Sequence, residues 1–176
     1  MGTDKALLPF RGHPLARSLA ELVERAAGGV VLAGNPDLGP QVGYPAIPDL
    51  YPGEGPLGGI LTALAHTASD WNLVVACDMP GLTVEFLAGL LKAATGSGAG
   101  ALVPVGPGGR LEPLCAVYHR RLHAPLGLAF ARGVRKIMAA LEEIDLCRWP
   151  VAETGVFQNV NTPEDWAPWT PRYAAK

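Results

Sequence analysis

Apolar positions along the chain switch between two spacings. Leu15, Leu19, Leu22, Val23 and Ala26 recur at helical intervals, with Glu21, Glu24 and Arg25 on other faces. That pattern predicts an amphipathic helix of about 14 residues, opened by Pro14 and closed by Gly28-Gly29. Val30-Val31-Leu32-Ala33, bounded by Gly34-Asn35-Pro36, is instead a short continuous apolar run, as in a strand buried on both faces. Residues 72–77 form a second such run and end abruptly at Asp78-Met79-Pro80-Gly81. Thr83 then suits a helix N-cap, and Phe86/Leu90 and Leu87/Leu91 pair four residues apart behind it.

Farther on, residues 101–105 and 114–118 predict two successive strands joined through the turn Gly106 to Gly109, hence a hairpin. Val134, Ile137, Met138, Leu141 and Ile144 mark a further helix, Cys147-Arg148-Trp149 a late edge strand, and Asn161-Thr162-Pro163-Glu164-Asp165 a helix start. Residues 35–59 are rich in Pro and Gly and predict a long loop without lasting regular structure, followed by a helix over residues 60–68. Loops of that length are usually functional or disordered. Helices alternating with buried strands predict an α/β fold: three layers, α/β/α, around a mostly parallel, Rossmann-like sheet in a single domain over residues 1–176. Such sheets bind ligands beyond the carboxyl ends of their strands.

Composition narrows the partners. An apolar fraction of 49% with 17% charged residues describes a packed globular chain. Net charge is −2 and the fourteen basic residues are scattered, so no cationic stripe matches a nucleic-acid backbone. The three cysteines, Cys77, Cys115 and Cys147, are odd in number and far apart, against a disulfide framework or a CxxC metal site. No segment has the roughly 18 apolar residues of a membrane span, and no signal peptide opens the chain, so a soluble, cytoplasmic protein is expected.

Three segments could carry chemistry. In Gly2-Thr3-Asp4-Lys5, the lysine after a glycine turn is either a point charge for phosphate oxygens or a solvated side chain near the terminus. In Asp49-Leu50-Tyr51-Pro52-Gly53-Glu54-Gly55-Pro56-Leu57-Gly58-Gly59, the glycines let backbone approach a ligand before a helix start, or form a plain surface turn in which Asp49 is a turn-former. In Val74-Val75-Ala76-Cys77-Asp78, a carboxylate leaves a buried strand where an α/β sheet places its ligand. There it either holds Mg²⁺, which prefers oxygen donors shared with phosphates, or caps the turn. Glu112 is read either as a substrate contact or as a strand-end carboxylate. The four histidines have no metal-ligand spacing, and no serine sits in a nucleophile elbow.

In this order the segments resemble the MobA family of molybdenum cofactor guanylyltransferases, within the nucleotide-sugar-pyrophosphorylase-like nucleotidyltransferases. GTDKALLPFRGHPL, PDLYPGEGPLGGI, VVACDMP, EPLCAVY, the Val134-Arg135-Lys136 helix start and FQNVNTPED carry the likeness nearly end to end. The resemblance implies a Rossmann-like nucleotidyltransferase fold and transfer of GMP from GTP to molybdopterin, with release of pyrophosphate. Lys5 is then the phosphate ligand; Asp49 and Gly55, Pro56, Leu57, Gly58 and Gly59 contact the nucleoside; and Asp78 holds Mg²⁺. Glu112, Arg135 and Asn159-Val160-Asn161 line the remaining cleft for the pterin, and molybdoenzymes or cofactor-biosynthesis proteins are the implied macromolecular partners. The family opens with a strand and a loop of pattern LAGGxSxRMG, of which Met1-Gly2 alone is matched. The implied natural protein is therefore longer, with Met1 internal, and the sheet here has a gap at that strand. Ala33 stands where related sequences carry a polar residue, which keeps a molybdopterin cytidylyltransferase as an alternative. A catalytically silent nucleotidyltransferase-like domain is the other.

Overall fold

The computed structural model describes residues 5–153 and 155–169. A tight hairpin, β1 (Pro9–Phe10) and β2 (His13–Pro14), leads into α1 (Leu15–Ala27), whose C-cap Gly28 adopts φ 83°. Then follow β3 (Leu32–Gly34), α2 (Leu38–Val42), β4 (Ala46–Pro48), α3 (Pro56–His66), β5 (Trp71–Val75) and α4 (Val84–Ser97). The chain continues through β6 (Ala101–Val105), β7 (Cys115–His119), α5 (His123–Ala131), α6 (Ile137–Leu141), β8 (Leu146–Pro150) and α7 (Pro163–Trp166). The Thr83 hydroxyl caps α4, accepting from the Phe86 N–H at 3.2 Å.

The main sheet has the order β5-β7-β6-β8. β7 is antiparallel to both of its neighbours and β8 is parallel to β6, so β5, β6 and β8 run one way and β7 opposes them. β6 and β7 pair antiparallel through Ala101–Tyr118 and Leu102–Val117, and an isolated antiparallel bridge between Val105 and Leu111 flanks the turn that joins them, as in the predicted hairpin. A separate parallel pair joins β3 to β4. No ladder connects this pair to β5 among the described residues, and α3 packs against both β3 and β5, spanning the break.

Side chains sort by strand parity, because successive residues of a strand point to opposite faces. Leu102, Cys115 and Val117 enter one core with Leu15, Leu19 and Val23 of α1 and Leu87, Leu90 and Ala94 of α4. Ala101, Val103, Ala116 and Tyr118 enter the other with Leu57, Ile60 and Leu61 of α3 and Leu126 and Phe130 of α5. Helices thus cover both faces, the three-layer arrangement predicted. Tyr118 is fully buried, and its hydroxyl donates to the Pro113 carbonyl at 2.8 Å, leaving that polar tip satisfied.

Three segments differ from the sequence reading. Residues 35–59 hold α2 and β4, which are too short and too interrupted by Gly39, Pro40 and Pro48 to register as periodic. α5 goes unpredicted because Pro125 and Gly127 spoil its helical signal; burial of Leu126, Ala129 and Phe130 outweighs that low propensity. The helix expected around Val134 to Ile144 is confined to α6. No described helix is long and apolar enough to cross a membrane.

Candidate active site

Asp78 lies three residues beyond the carboxyl end of β5. Its backbone carbonyl accepts the Val160 N–H at 2.9 Å, which ties the residue to the chain's closing segment. Its Oδ1 is buried with no hydrogen-bond partner among the described residues, as is Oδ1 of Asn159 next to Val160. An orphaned buried carboxylate oxygen is costly, and native chains keep one where a ligand completes it. Burial pushes the Asp78 carboxyl above its ordinary value, opposed by its own backbone N–H and by the positive charge of Lys5. Lys5 donates to Asn161 Oδ1 at 2.6 Å. A sequence separation of 156 is closed there, and cation, carboxylate and two asparagines converge at one end of the main sheet.

The Asn161 segment is itself fixed. Asp165 Oδ2 accepts the backbone N–H groups of Asn161 and Thr162, each at 2.9 Å, while the Asp165 N–H donates to the Thr162 hydroxyl at 3.1 Å. These bonds hold the Asp165 carboxyl below its usual range. The reciprocal pattern is a capping box, and it sets Asn161 in place ahead of α7.

A second group forms around the glycine-rich loop. Asp49 follows β4 directly, and its N–H donates to the Gly34 carbonyl at 3.2 Å, so it sits where β3 and β4 both end. Its Oδ1 accepts the Tyr51 N–H at 3.0 Å and the Thr62 hydroxyl at 2.8 Å. Gly55, at φ 81°, is the N-cap of α3 and supplies no side-chain cap, which leaves a helix start suited to an anion. Gly55 and Pro56 are exposed, whereas Leu57 is fully buried and Gly58 packs under Tyr51. The loop is clamped from outside: Arg135 Nε contacts Glu54 Oε2 at 2.5 Å, and the guanidinium lies 3.9 Å over the Phe130 ring. Between these walls is a cavity of about 560 Å³ that Lys136 and Met138 also line.

A further cavity of about 310 Å³ is bounded by Gly106, Pro107, Arg110, Glu112, Phe157 and Gln158. The structure therefore brings Lys5 to Asp78 and sets Gly55 and Pro56 in the wall of a separate cavity that Asp49, bonded to Tyr51 and Thr62, does not line, with Glu112 in a cavity of its own. Thr62 and Arg110 are not legible as site residues in the sequence. The signal for Thr62 is a hydroxyl on the inward face of α3, 0% exposed.

Buried oxygen donors, a lysine, a bare helix start and a three-layer α/β sheet define a nucleotidyltransferase that works on phosphate groups. A profile described as "MobA-like NTP transferase domain" matches residues 1–144, and the chain belongs to that family. A probable molybdenum cofactor guanylyltransferase of Methanothermobacter thermautotrophicus is 33% identical, the alignment covering 94% of this chain and 90% of the relative. The molybdenum cofactor guanylyltransferase of Yersinia pestis is 28% identical over 96% of this chain and 87% of that one. Molybdopterin-guanine dinucleotide biosynthesis protein A from Archaeoglobus fulgidus superposes with a TM-score of 0.79 at 28% identity, covering 98% and 92% of the two chains. A 2-C-methyl-D-erythritol 4-phosphate cytidylyltransferase from Thermus thermophilus shares the fold, with a TM-score of 0.73 at 18% identity over 97% and 94%.

Proposed function

We propose that the chain transfers GMP from GTP to molybdopterin, forming the guanine dinucleotide cofactor and releasing pyrophosphate. The observation that carries this reading is the unpartnered, buried Asp78 Oδ1 beside Lys5, in a chain whose relatives are named for that transfer. An oxygen of the molybdopterin phosphate attacks the α-phosphorus of GTP; the new P–O bond forms as the bond to the β-phosphate bridging oxygen breaks, and pyrophosphate leaves in line. Asp49 and residues 55–58 hold the nucleoside, Gly55 and Pro56 presenting the backbone of the α3 start. Lys5 turns its ammonium from Asn161 to the phosphates and offsets their growing charge.

The donor set at Asp78 fits Mg²⁺: the free oxygen is hard, buried and anionic, and substrate phosphates supply the remaining ligands. Bound there, the ion neutralises phosphate charge. Asp78 is the residue that would hold it. The product passes to molybdoenzymes or other cofactor-biosynthesis proteins.

The test is pyrophosphate release from GTP with Mg²⁺ and molybdopterin, run beside CTP. CTP is the informative control, because Ala33 on β3 is exposed and offers a base no polar side chain. Asp78→Asn should abolish release; a transfer rate unchanged by that substitution would refute the catalytic reading, and a preference for CTP would reassign the nucleotide.

A further inference from the structure

The cavity at Glu112 has a chemistry that phosphate binding leaves unused. Glu112 is 5% exposed, an unusual place for a carboxylate. Its fixed partner is weak: Arg110 Nε sits 3.1 Å from Oε1, but the arginine side chain is 70% exposed and its attraction is screened by water. No hydrogen bond to Oε2 is present among the described residues. The backbone cannot carry the carboxylate out to solvent, because the Glu112 N–H donates to the Pro104 carbonyl at 3.0 Å and its own carbonyl accepts the Cys115 N–H at 3.1 Å. A largely buried carboxylate on a fixed backbone, with only an exposed arginine beside it, suits donors brought by a ligand.

The neighbouring wall is aromatic. Phe157 borders the cavity with its ring braced edge-on by Phe86, centroids 5.6 Å apart at 74°. A fixed aromatic face next to a carboxylate suits a flat heterocycle whose edge presents two adjacent N–H donors. A 2-amino-4-oxopyrimidine ring has that edge in its ring N–H and exocyclic amino group, and a carboxylate accepts both in parallel.

Position completes the case. From Phe157, the chain runs through Gln158 and Asn159 to Val160, whose N–H is bonded to the Asp78 carbonyl. Three residues of extended chain span at most about 10 Å. A molecule seated at Phe157 can therefore extend a phosphate arm along this segment to Asp78, passing the unpartnered Asn159 Oδ1.

We propose that this cavity seats the pterin ring of the acceptor, Glu112 reading its 2-amino edge and Phe157 stacking on its face. The inference rests on the guanylyl-transfer reading above. Guanine carries the same edge, but the nucleoside has its own wall at the glycine-rich loop, so the pterin is the occupant here.

Two variants test it in the full chain. Glu112→Gln keeps the shape and removes the charge; Phe157→Leu removes the stacking face. Each should raise the KM for molybdopterin by about tenfold or more and leave the KM for GTP within about twofold. In parallel, fluorescence titration with 6-hydroxymethylpterin should show binding to the parent protein and its loss in Glu112→Gln, without any need for turnover. A rise in the GTP KM instead would put guanine in the cavity and overturn the proposal, as would unchanged KM values and pterin binding in both variants. Absence of GMP transfer in the parent protein, with pterin binding still lost in Glu112→Gln, would refute the transfer reading but not the pterin seat.

Discussion

Replacing Gly58 by alanine should loosen the fold, whereas the same change at Gly59 should tighten it. Both residues lie in the first turns of α3, where alanine is favoured over glycine by up to about 1 kcal/mol. Around Gly59 a new Cβ meets nothing within 4 Å. At Gly58 it would lie 2.9 Å from the Tyr51 Cβ and 3.3 Å from the Tyr51 carbonyl oxygen. Tyr51 has little room to retreat, since its N–H is held by Asp49 and its ring packs on Phe130 at 4.7 Å. Overpacking of this kind costs about 1–3 kcal/mol, which offsets the propensity gain and leaves a net loss of up to about 2 kcal/mol. In a chain of this length a kilocalorie moves the melting temperature by about 2–4 °C. Thermal unfolding followed by circular dichroism should therefore place Gly59→Ala a few degrees above the parent and Gly58→Ala a few degrees below. The displaced loop carries Asp49, so the KM for GTP should rise in Gly58→Ala as well. A Gly58→Ala protein that melts as high as Gly59→Ala would refute the packing argument.

Asp78→Asn has a stability signature distinct from its effect on turnover. Burial raises the Asp78 carboxyl above 3.8, so the folded chain binds that proton more tightly than the unfolded chain. This contribution is present below about pH 4 and is lost as pH rises through the raised value. Without ligand, Asp78→Asn should melt above the parent at pH 7, with the difference shrinking toward pH 4; a pH-independent difference would contradict it. Tyr118→Phe removes the bond to Pro113 and should cost about 1 kcal/mol, read as a melting temperature about 2–4 °C lower with the fold retained. Cys115 is fully buried and its thiol is pushed up to about 12, chiefly by burial and then by the Glu112 charge. Native protein treated with iodoacetamide at pH 8 should leave Cys115 unmodified by mass spectrometry, and denatured protein should not.

The layered architecture is legible in the sequence because unbroken apolar runs read as strands: four of them become β3, β5, β6 and β7, of which β6 and β7 are buried on both faces. The direction of β7 is legible too, since no helical spacing separates it from β6. What escapes is structure held by tertiary contacts alone. α5 carries a proline and a glycine in its interior, and α2 and β4 are five and three residues long, so none has a period to detect. The site divides in the same way. Asp78 stands out as an acid released from a buried strand. Its approach to Lys5, the Lys5–Asn161 bond and the joining of Glu112 to Phe157 depend on how the chain's two ends return to one edge of the sheet, which local spacing does not encode.

The parity of β6 and β7 bears on how such a protein can change over evolutionary time. Adjacent positions of these strands belong to different cores, so inserting or deleting one residue would exchange Leu102 for Ala101 or Val103 and disturb both layers together. Glu112 precedes β7 by three residues, so a slip in that strand would also misdirect this buried carboxylate. Strand length is thus locked, while point replacements remain open. The turn between β6 and β7 is free of that lock: Gly108 and Gly109, at φ 79° and 80°, are exposed and have open space at the Cβ position. Length variation tolerated by this family should collect there, at the lip of the Glu112 cavity, where it can reshape acceptor choice without touching either core.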